Sequence, residues 1–277
     1  MNGGYLSHRA NARSIFCGRL PPMTSVPDNI SPVTTLNTQA VEFSSFASFI
    51  KNFPLQGESL YATVFHRNSS IVQTQKASLA ISNLEKILSA TFEVSATSGF
   101  DRMSLRDLSR QTGMSMGAIY SCISKKEDIA IMIADVVRLS SELTRQHAMQ
   151  SDSHWSSIEQ SIRFHLYASS LLQPWYFFLY FETRSLPEEQ QRDSKQIELD
   201  GIQSFEKYIQ EGIEQGEFST SDPRMVANTI VVLLEDWYLK PWKTLVQWKG
   251  DTSIDKQEHQ INNYHQSIVE QVRKLLA

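Results

Sequence analysis

Cysteine is scarce in this 277-residue chain, which contains two, Cys17 and Cys122. Neither has the Cys-x-x-Cys or Cys/His spacing of a zinc site, so no disulfide framework, metal or cofactor is expected. No apolar run approaches the roughly 20 residues that a membrane-spanning helix needs. No continuous apolar run follows Arg9, Arg13 and Arg19, as it would in a signal peptide. These absences predict a cytoplasmic protein.

Catalytic motifs are absent as well. The seven histidines are scattered, and the chain has no HExxH motif, nucleophile elbow or phosphate loop. The carboxylates of Glu182, Glu188 and Glu189 are interpreted as solvated charges near helix ends. Long stretches of alternating apolar and polar residues, which indicate β-strands, are also missing. We therefore expect an all-α protein that is not an enzyme.

Charge is distributed unevenly along the chain, whose net charge is −4. Residues 1–130 hold 12 lysines and arginines against 9 aspartates and glutamates, whereas residues 131–277 hold 14 against 21. A mildly basic front and an acidic body are compatible with one end that binds DNA and another that binds a ligand or a protein. The length suits two domains.

An N-terminal extension is expected over residues 1–70, largely disordered because Ser, Thr, Asn and Pro dominate residues 1–35 without any period. An aromatic cluster between Val41 and Phe53 has the three- and four-residue spacing of a short amphipathic helix. We interpret this helix as an arm that stabilises the main body. The alternative is an arm that reaches DNA or a second subunit.

Four helical patterns follow the extension. A long helix is predicted over 71–98 and ends at Gly99, a glycine just past the last turn. Ser104 is the predicted N-cap of a short helix, which Gly113 ends. Ser115 then caps a second short helix, and a long helix comes after it. This order of a long helix, two short helices joined by a tight turn, and another long helix predicts a helix-turn-helix domain.

The run LEKILSATFEVSATSGFDRMSLRDLSRQTGMSMGAIYSCISKKEDI, from Leu84 to Ile129, resembles the N-terminal domain of TetR-family transcriptional regulators without a gap. The residues in the family's register are Ile87, Leu88, Gly99, Phe100, Ser104, Arg106, Asp107, Gly113, Ser115, Gly117, Ile119, Tyr120, Lys126 and Glu127.

The resemblance implies that the second short helix is a recognition helix that lies in the DNA major groove. Phosphate contacts would come from Ser115, Tyr120 and Lys126, and from the start of the preceding helix. Met116 stands where the family often has lysine or arginine, so the operator sequence is not inherited from relatives. Cys122 replaces a usual histidine or tyrosine and is interpreted as a packing residue. The residues predicted to contact DNA are Ser104, Arg106, Ser115, Met116, Gly117, Ala118, Tyr120, Ser121 and Lys126, with Met116, Ala118 and Ser121 facing the bases.

We predict a DNA-binding domain at residues 71–138 and a helical effector-binding and dimerisation domain at residues 139–277. Helical patterns in the second domain cover residues 154–172, 174–185, 187–215, 222–240 and 254–276, with a loop at 249–253.

Aromatic side chains are dense in residues 164–181, where eight occur. The resemblance places the wall of an effector pocket there, with Arg184 as the anchor for an anionic head group. An aromatic core without a ligand is an equal alternative. The predicted ligand-binding residues are Phe164, Tyr167, Trp175, Phe178, Phe181, Arg184 and Trp237.

The resulting prediction is a sequence-specific DNA-binding regulator that dimerises through its last two helices and binds a near-palindromic operator. We expect a repressor that a small hydrophobic effector releases. Similarity of FETRSLPEEQ and DPRMVANTIVVLLEDWYLKPW to regulators of fatty-acid metabolism suggests an acyl-CoA or a fatty acid. The alternative is a DNA-bound adaptor whose C-terminal domain docks a protein partner.

Overall fold

The computed structural model describes residues 43–245 and 253–277, and these residues form helices without any β-strand. The predicted all-α fold is confirmed. No helix of the described ranges has the length and hydropathy to cross a membrane. The predictions for residues 1–42 and for a loop at 249–252 lie outside the described residues. In chain order the helices are α1 (Phe46–Asn52), α2 (Gly57–Arg67), α3 (Ala77–Ser98), α4 (Leu105–Thr112), α5 (Met116–Tyr120), α6 (Glu127–Ala148), α7 (His154–Leu171), α8 (Gln173–Glu182), α9 (Glu188–Glu214), α10 (Pro223–Leu239), α11 (Trp242–Leu245) and α12 (Ile254–Leu276).

The first helix, α1, is built into the core of the C-terminal body. It packs against α7 and α12, and its Phe46 and Phe49 side chains are fully buried. The Phe49 ring meets the Phe164 ring of α7 edge-on at 5.1 Å. Just before the helix, Phe43 stacks on His147 of α6 at 4.9 Å. The described part of the extension thus contributes aromatic surface to the body, as a stabilising arm does.

A second helix in the extension, α2, was not anticipated from the sequence. It begins at Gly57 without a side-chain cap from Gln56, so it lacks the usual start signal of a helix. It lies along α3 and α6. The Arg67 guanidinium at its end donates two hydrogen bonds of 2.7 Å to the Asp135 carboxylate of α6. This bidentate pair fastens the extension to the helix that follows the helix-turn-helix motif.

Helix α3 begins at Ala77 and not at residue 71, because the preceding segment has other hydrogen-bond partners. The backbone N–H groups of Gln73 and Thr74 both donate to the carbonyl of Ser121, at 2.9 and 3.1 Å. The N–H groups of residues 73–74 are therefore bound at the end of α5, and residues 72–76 form no helical turn.

Helix α6 connects the helix-turn-helix motif to the C-terminal body without a break. It runs from Glu127 to Ala148, so the predicted division at residue 138 lies inside it. Helices α7, α8 and α9 pack against α6, α10 packs on α7, α8 and α9, and α12 covers α7 and α10. In the C-terminal half of the chain, α7 to α10 and α12 lie within about three residues of their predicted bounds. Pro223 is in the first turn of α10 and Gly216 lies just beyond α9.

Candidate DNA-binding surface and effector cavity

Both short helices of the helix-turn-helix motif are fixed at their N-termini by their own residues. Ser104 and Asp107 form a reciprocal capping box on α4. Gly113 takes the left-handed conformation, with φ of 70°, at the turn. The Ser115 hydroxyl then accepts a hydrogen bond of 3.2 Å from the Ala118 N–H. The turn and both caps predicted from the sequence are thus present in the structure.

Helix α5 presents a mixed polar and small surface to solvent. Ile119 and Cys122 are fully buried and hold the helix on the core, which agrees with the packing role expected of Cys122. On the opposite side, Tyr120 is 49% exposed. Of the predicted DNA contacts, Arg106, Ser115 and Gly117 are exposed too, whereas Met116 and Ala118 are half-buried.

The Lys126 ammonium is engaged with the protein itself. Its Nζ donates to the carbonyl oxygens of Phe100, Asp101 and Met103 at 3.2, 2.7 and 3.4 Å. It also lies 5.3 Å from the centroid of the Phe100 ring. The sequence predicted a phosphate contact for Lys126, but in this structure its three donors hold the loop between α3 and α4.

Ser121, which is predicted to face the bases, has hydrogen-bond partners within the protein. Its hydroxyl donates to the Ala118 carbonyl at 2.8 Å and accepts from the Thr74 hydroxyl at 2.9 Å. Ser121 therefore joins α5 to the segment before α3, a contact that sequence reasoning missed because residues 71–76 were assigned to a helix.

A cavity of about 200 Å³ lies within the C-terminal body, between α6, α7, α8, α9 and α10. None of the seven predicted ligand-binding residues lines it. Its apolar lining comes from Val137, Leu179, Ile197, Phe205, Val231 and Leu234, and its polar lining includes His165, Tyr176, Tyr180, Lys195, Glu198, Tyr208, Glu235 and Tyr238.

Four of the seven predicted residues are core aromatics in two other places. Phe164 and Tyr167 pack against α1, where the Phe46 and Tyr167 centroids are 5.1 Å apart. Trp175 and Phe178 face the helix-turn-helix domain, and the Phe178 ring meets the Phe100 ring edge-on at 5.0 Å. These four aromatics belong to two packing interfaces, whereas Tyr176 and Tyr180 of the same dense segment line the cavity.

The other three predicted ligand residues lie near the surface or between helices. Phe181 is 43% exposed, and Arg184 is exposed in the short 3₁₀ turn Thr183–Ser185 that follows α8. The Trp237 indole donates a hydrogen bond of 2.9 Å to the Ser170 hydroxyl. Arg184 is therefore not an anchor inside the cavity.

The inner part of the cavity is formed by aromatic rings and one imidazole. The rings of Tyr176 and Tyr238 lie 5.1 Å apart, and His165 meets Tyr176 edge-on at 5.3 Å. Burial lowers the pKa of His165 to about 4, so its imidazole is neutral at physiological pH. Its Nε2 has no hydrogen-bond partner among the described residues. Burial raises the pKa of Tyr176 to about 12, and its hydroxyl donates to Ser140 at 3.0 Å.

Two carboxylates share the cavity wall, Glu235 of α10 and Glu198 of α9. Burial, and then the proximity of Glu198, raise the pKa of Glu235 to about 7. No ion pair joins either glutamate to a lysine or arginine within residues 43–245 and 253–277. The lining therefore contains two carboxylates without an ion pair in the described chain, together with the basic residues Arg145 and Lys195.

Helix α8 borders both the cavity and the helix-turn-helix domain. Tyr176, Leu179 and Tyr180 line the cavity, while Glu182 reaches the other way. The Glu182 carboxylate accepts a hydrogen bond of 3.0 Å from the Phe100 N–H, so it is not the solvated charge expected from the sequence. Because Lys126 binds the carbonyl of the same Phe100, a continuous set of contacts connects the cavity wall to the start of α6.

Comparison with known proteins agrees with this architecture. Residues 151–239 match the family model of the tetracyclin repressor-like C-terminal domain. No curated protein sequence is similar at a significant level.

Solved structures with the same fold include a TetR-family regulatory protein from Rhodococcus, with a TM-score of 0.55 and 19% identity over 69% of this chain and 96% of that one. The regulator PfmR from Thermus thermophilus has a TM-score of 0.54 and 17% identity, over 66% and 94% of the two chains. FadR from Bacillus subtilis, solved with stearoyl-CoA, has a TM-score of 0.52 and 18% identity, over 70% and 99%.

The helix-turn-helix motif and the helical body together define the class of fold as that of helix-turn-helix proteins with a helical C-terminal domain. Its fold is that of TetR-family regulators, and residues 151–239 form a C-terminal domain of the tetracyclin-repressor type. The family resemblance seen in residues Leu84 to Ile129 is thereby confirmed.

Proposed function

We propose that this protein binds specific DNA sites as a homodimer and represses transcription until a small molecule enters the cavity. The observation that carries the proposal is the position of α8 between the cavity and the helix-turn-helix domain. Its Glu182–Phe100 hydrogen bond of 3.0 Å gives the cavity wall a direct contact with the DNA-binding half. A ligand that favours another position of α8 would lower operator affinity by favouring a conformation with different spacing of the two DNA-binding domains.

On the DNA side, α5 is the proposed recognition helix, with Ser115 and Tyr120 contacting phosphates. Met116 and Ala118 remain the proposed base-facing residues, Gly117 allows close approach to the backbone, and Arg106 adds a cation from α4. Since Lys126 and Ser121 are engaged within the protein, we assign them the positioning of the motif. Specificity then depends on Arg106, apolar contacts and DNA shape.

Dimerisation is proposed through α10 and α12, which lie side by side. They are joined by the hydrogen bond of 2.8 Å from the Tyr264 hydroxyl to the Leu233 carbonyl. Met225 and Val232, seven residues apart on α10, are 59% and 53% exposed. Exposed apolar residues at this spacing form a stripe that a second copy can cover.

Selection of genomic DNA fragments tests the proposal. The purified protein should retain a small set of fragments that share one near-palindromic site, at an ionic strength where random fragments are lost. Equal retention of all fragments would contradict it.

An acyl-CoA or fatty-acid effector, as the stearoyl-CoA complex of FadR suggests, has less support in the cavity. Its volume of about 200 Å³ is smaller than the range of about 300–1,000 Å³ for drug-sized ligands. The adaptor alternative is less favoured because a partly enclosed cavity is present. Its test is whether any small molecule releases the protein from the selected DNA, since an adaptor shows no release.

A further inference from the structure

The chemistry of the cavity selects for charge of one sign. A ligand must sit beside Glu235 and Glu198, which raise the electrostatic cost of any added anion. Two basic residues do line the cavity. Arg145 forms an ion pair with Glu142 of its own helix, and Lys195 and Glu198 are both exposed to solvent. Glu235 is thus the partly buried charge that lines the cavity without an ion pair among the described residues, and it disfavours a carboxylate or phosphate in the interior and favours a cation.

The rings around the carboxylates favour the same charge. Tyr176, Tyr180, Tyr208 and Tyr238 all line the cavity, and a cation over a tyrosine face is attracted by the negative potential of the ring. Carboxylates combined with several tyrosines stabilise a positive group that has little hydration of its own, such as a substituted ammonium.

The imidazole of His165 forms part of the inner wall. The side chain is partly accessible and lines the cavity, whereas its Nε2 is buried and lacks a hydrogen-bond partner among the described residues. A ligand in the cavity therefore meets the accessible part of this side chain and not its Nε2.

A metal ion is a poor match for the same residues. The described chain contains no group of three His, Cys, Asp or Glu residues that could bind one. The walls are largely apolar, with Val137, Leu179, Ile197 and Phe205 among them. The cavity is therefore suited to an organic group and not to a hydrated inorganic ion.

We infer that the effector is a small organic cation, a substituted ammonium with an apolar body, bound by the Glu235 and Glu198 carboxylates and the surrounding tyrosines. Any effect of this cation on operator binding rests on the proposed function, whereas the binding of the cation to the cavity does not. The cation lies beside the carboxylates, and the apolar body fills the volume between α6, α8 and α9.

Calorimetric titration of the full-length protein at pH 8 tests the inference with defined probes. These are phenyltrimethylammonium and a series of alkyltrimethylammonium ions, each compared with its tert-butyl counterpart and with the carboxylate of equal chain length. At least one ammonium ion should bind about ten-fold or more tightly than both counterparts. The inference is overturned if every ammonium ion binds no better than its uncharged counterpart, or if the carboxylates bind best.

Substitution of the carboxylates assigns the binding to this cavity. Glu235→Gln should lose most of the ammonium preference while still binding the tert-butyl compound, and Glu198→Gln should weaken the preference independently. Glu189→Gln on the exposed side of α9 is the matched control and should behave as wild type. Ammonium binding that survives both cavity substitutions in folded protein would place the cation elsewhere.

The pH profile gives a second readout. Because the Glu235 pKa is about 7, the carboxylate becomes charged between pH 6 and 8, and ammonium affinity should rise by about ten-fold over that interval. His165 stays neutral across it, since its pKa is about 4. The profile should be flat in Glu235→Gln. The ionisable groups around Glu235 are Arg145, His165, Tyr176, Tyr180, Lys195, Glu198, Tyr208 and Tyr238.

Operator binding without any probe separates the two proposals. Specific DNA binding together with absent ammonium binding refutes the cation and leaves the regulator intact. Ammonium binding together with sequence-blind DNA binding supports the cation and refutes the proposed function.

Discussion

Tyr120 is the last residue of the recognition helix and Lys126 directly precedes α6, and they use their side chains differently. Tyr120 is 49% exposed, so its hydroxyl is available to a DNA phosphate. Lys126 donates to three backbone carbonyls, the shortest of these hydrogen bonds being 2.7 Å to Asp101. Tyr120 is therefore accessible for contact with DNA, whereas Lys126 stabilises the motif.

Replacement of these two residues should have separable effects. Tyr120→Phe removes only a hydroxyl, so operator affinity should fall about ten-fold through the loss of a hydrogen bond to a charged phosphate, with no change in melting temperature. Lys126→Ala releases the loop at Phe100, so the melting temperature should fall by several degrees together with operator affinity. Thermal unfolding and operator titration of both variants measure this.

The salt dependence of binding provides the control. If Lys126 acts mainly on the loop, Lys126→Ala should keep the wild-type slope of log affinity against log salt concentration. A slope reduced by about one, with an unchanged melting temperature, would show instead that Lys126 contacts a phosphate.

At the scale of elements, α1 is tied to the body by buried aromatic side chains. Phe49 is fully buried and touches both Phe53 and Phe164, with centroid distances of 4.8 and 5.1 Å. Phe49→Ala should therefore lower the free energy of unfolding by about 3–5 kcal/mol, as denaturant titration would measure. Phe181→Ala, at a side chain that is 43% exposed, is the control and should have little effect. Similar small effects in both variants would mean that α1 is not part of the cooperative core.

The sequence predicted most of the helices of this fold because their signals are local. Ser104, Gly113 and Ser115 mark caps and a turn that depend on their immediate neighbours. The predicted start of α3 at residue 71 was wrong because the true start depends on hydrogen bonds to Ser121, which is distant in sequence. Helix α2 was missed because Gln56 gives it no side-chain cap.

The cavity lining could not be predicted from aromatic density, because a dense cluster indicates burial without saying which surface it faces. Phe164 faces α1 and Phe178 faces Phe100. The available signal was on α9, where the small Gly201 and Ser204 alternate with Phe205 and Tyr208 on one helical face. Small residues on an otherwise apolar face leave volume unfilled, and this pattern identifies a cavity better than the count of aromatics.

At the scale of the whole molecule, two-fold symmetry is the main expectation to test. Val232→Glu places a charge at the centre of the proposed α10 stripe, so light scattering should show a monomer. Operator affinity should then fall by more than ten-fold, because one recognition helix reads only half of a palindrome. Leu199→Glu on α9, at another exposed apolar side chain, should leave a dimer. A Val232→Glu dimer with full affinity would place the interface elsewhere.

The connection between the cavity and the recognition helix is the central claim for the whole molecule. It requires that filling the cavity changes DNA binding through α8 and the Glu182–Phe100 contact. Gly201 of α9 lines the cavity, and a Cβ added there meets no atom within 4 Å. A large side chain at this position can therefore occupy the cavity in place of an effector.

Operator affinity of Gly201→Phe tests this claim most directly. The filled cavity should favour the released conformation, so affinity for the selected site should fall by about ten-fold or more while the protein stays folded. Gln210→Phe, on the exposed side of α9, should bind as wild type. A folded Gly201→Phe variant with an occupied cavity and unchanged operator affinity would show that the cavity and the DNA-binding surface are independent.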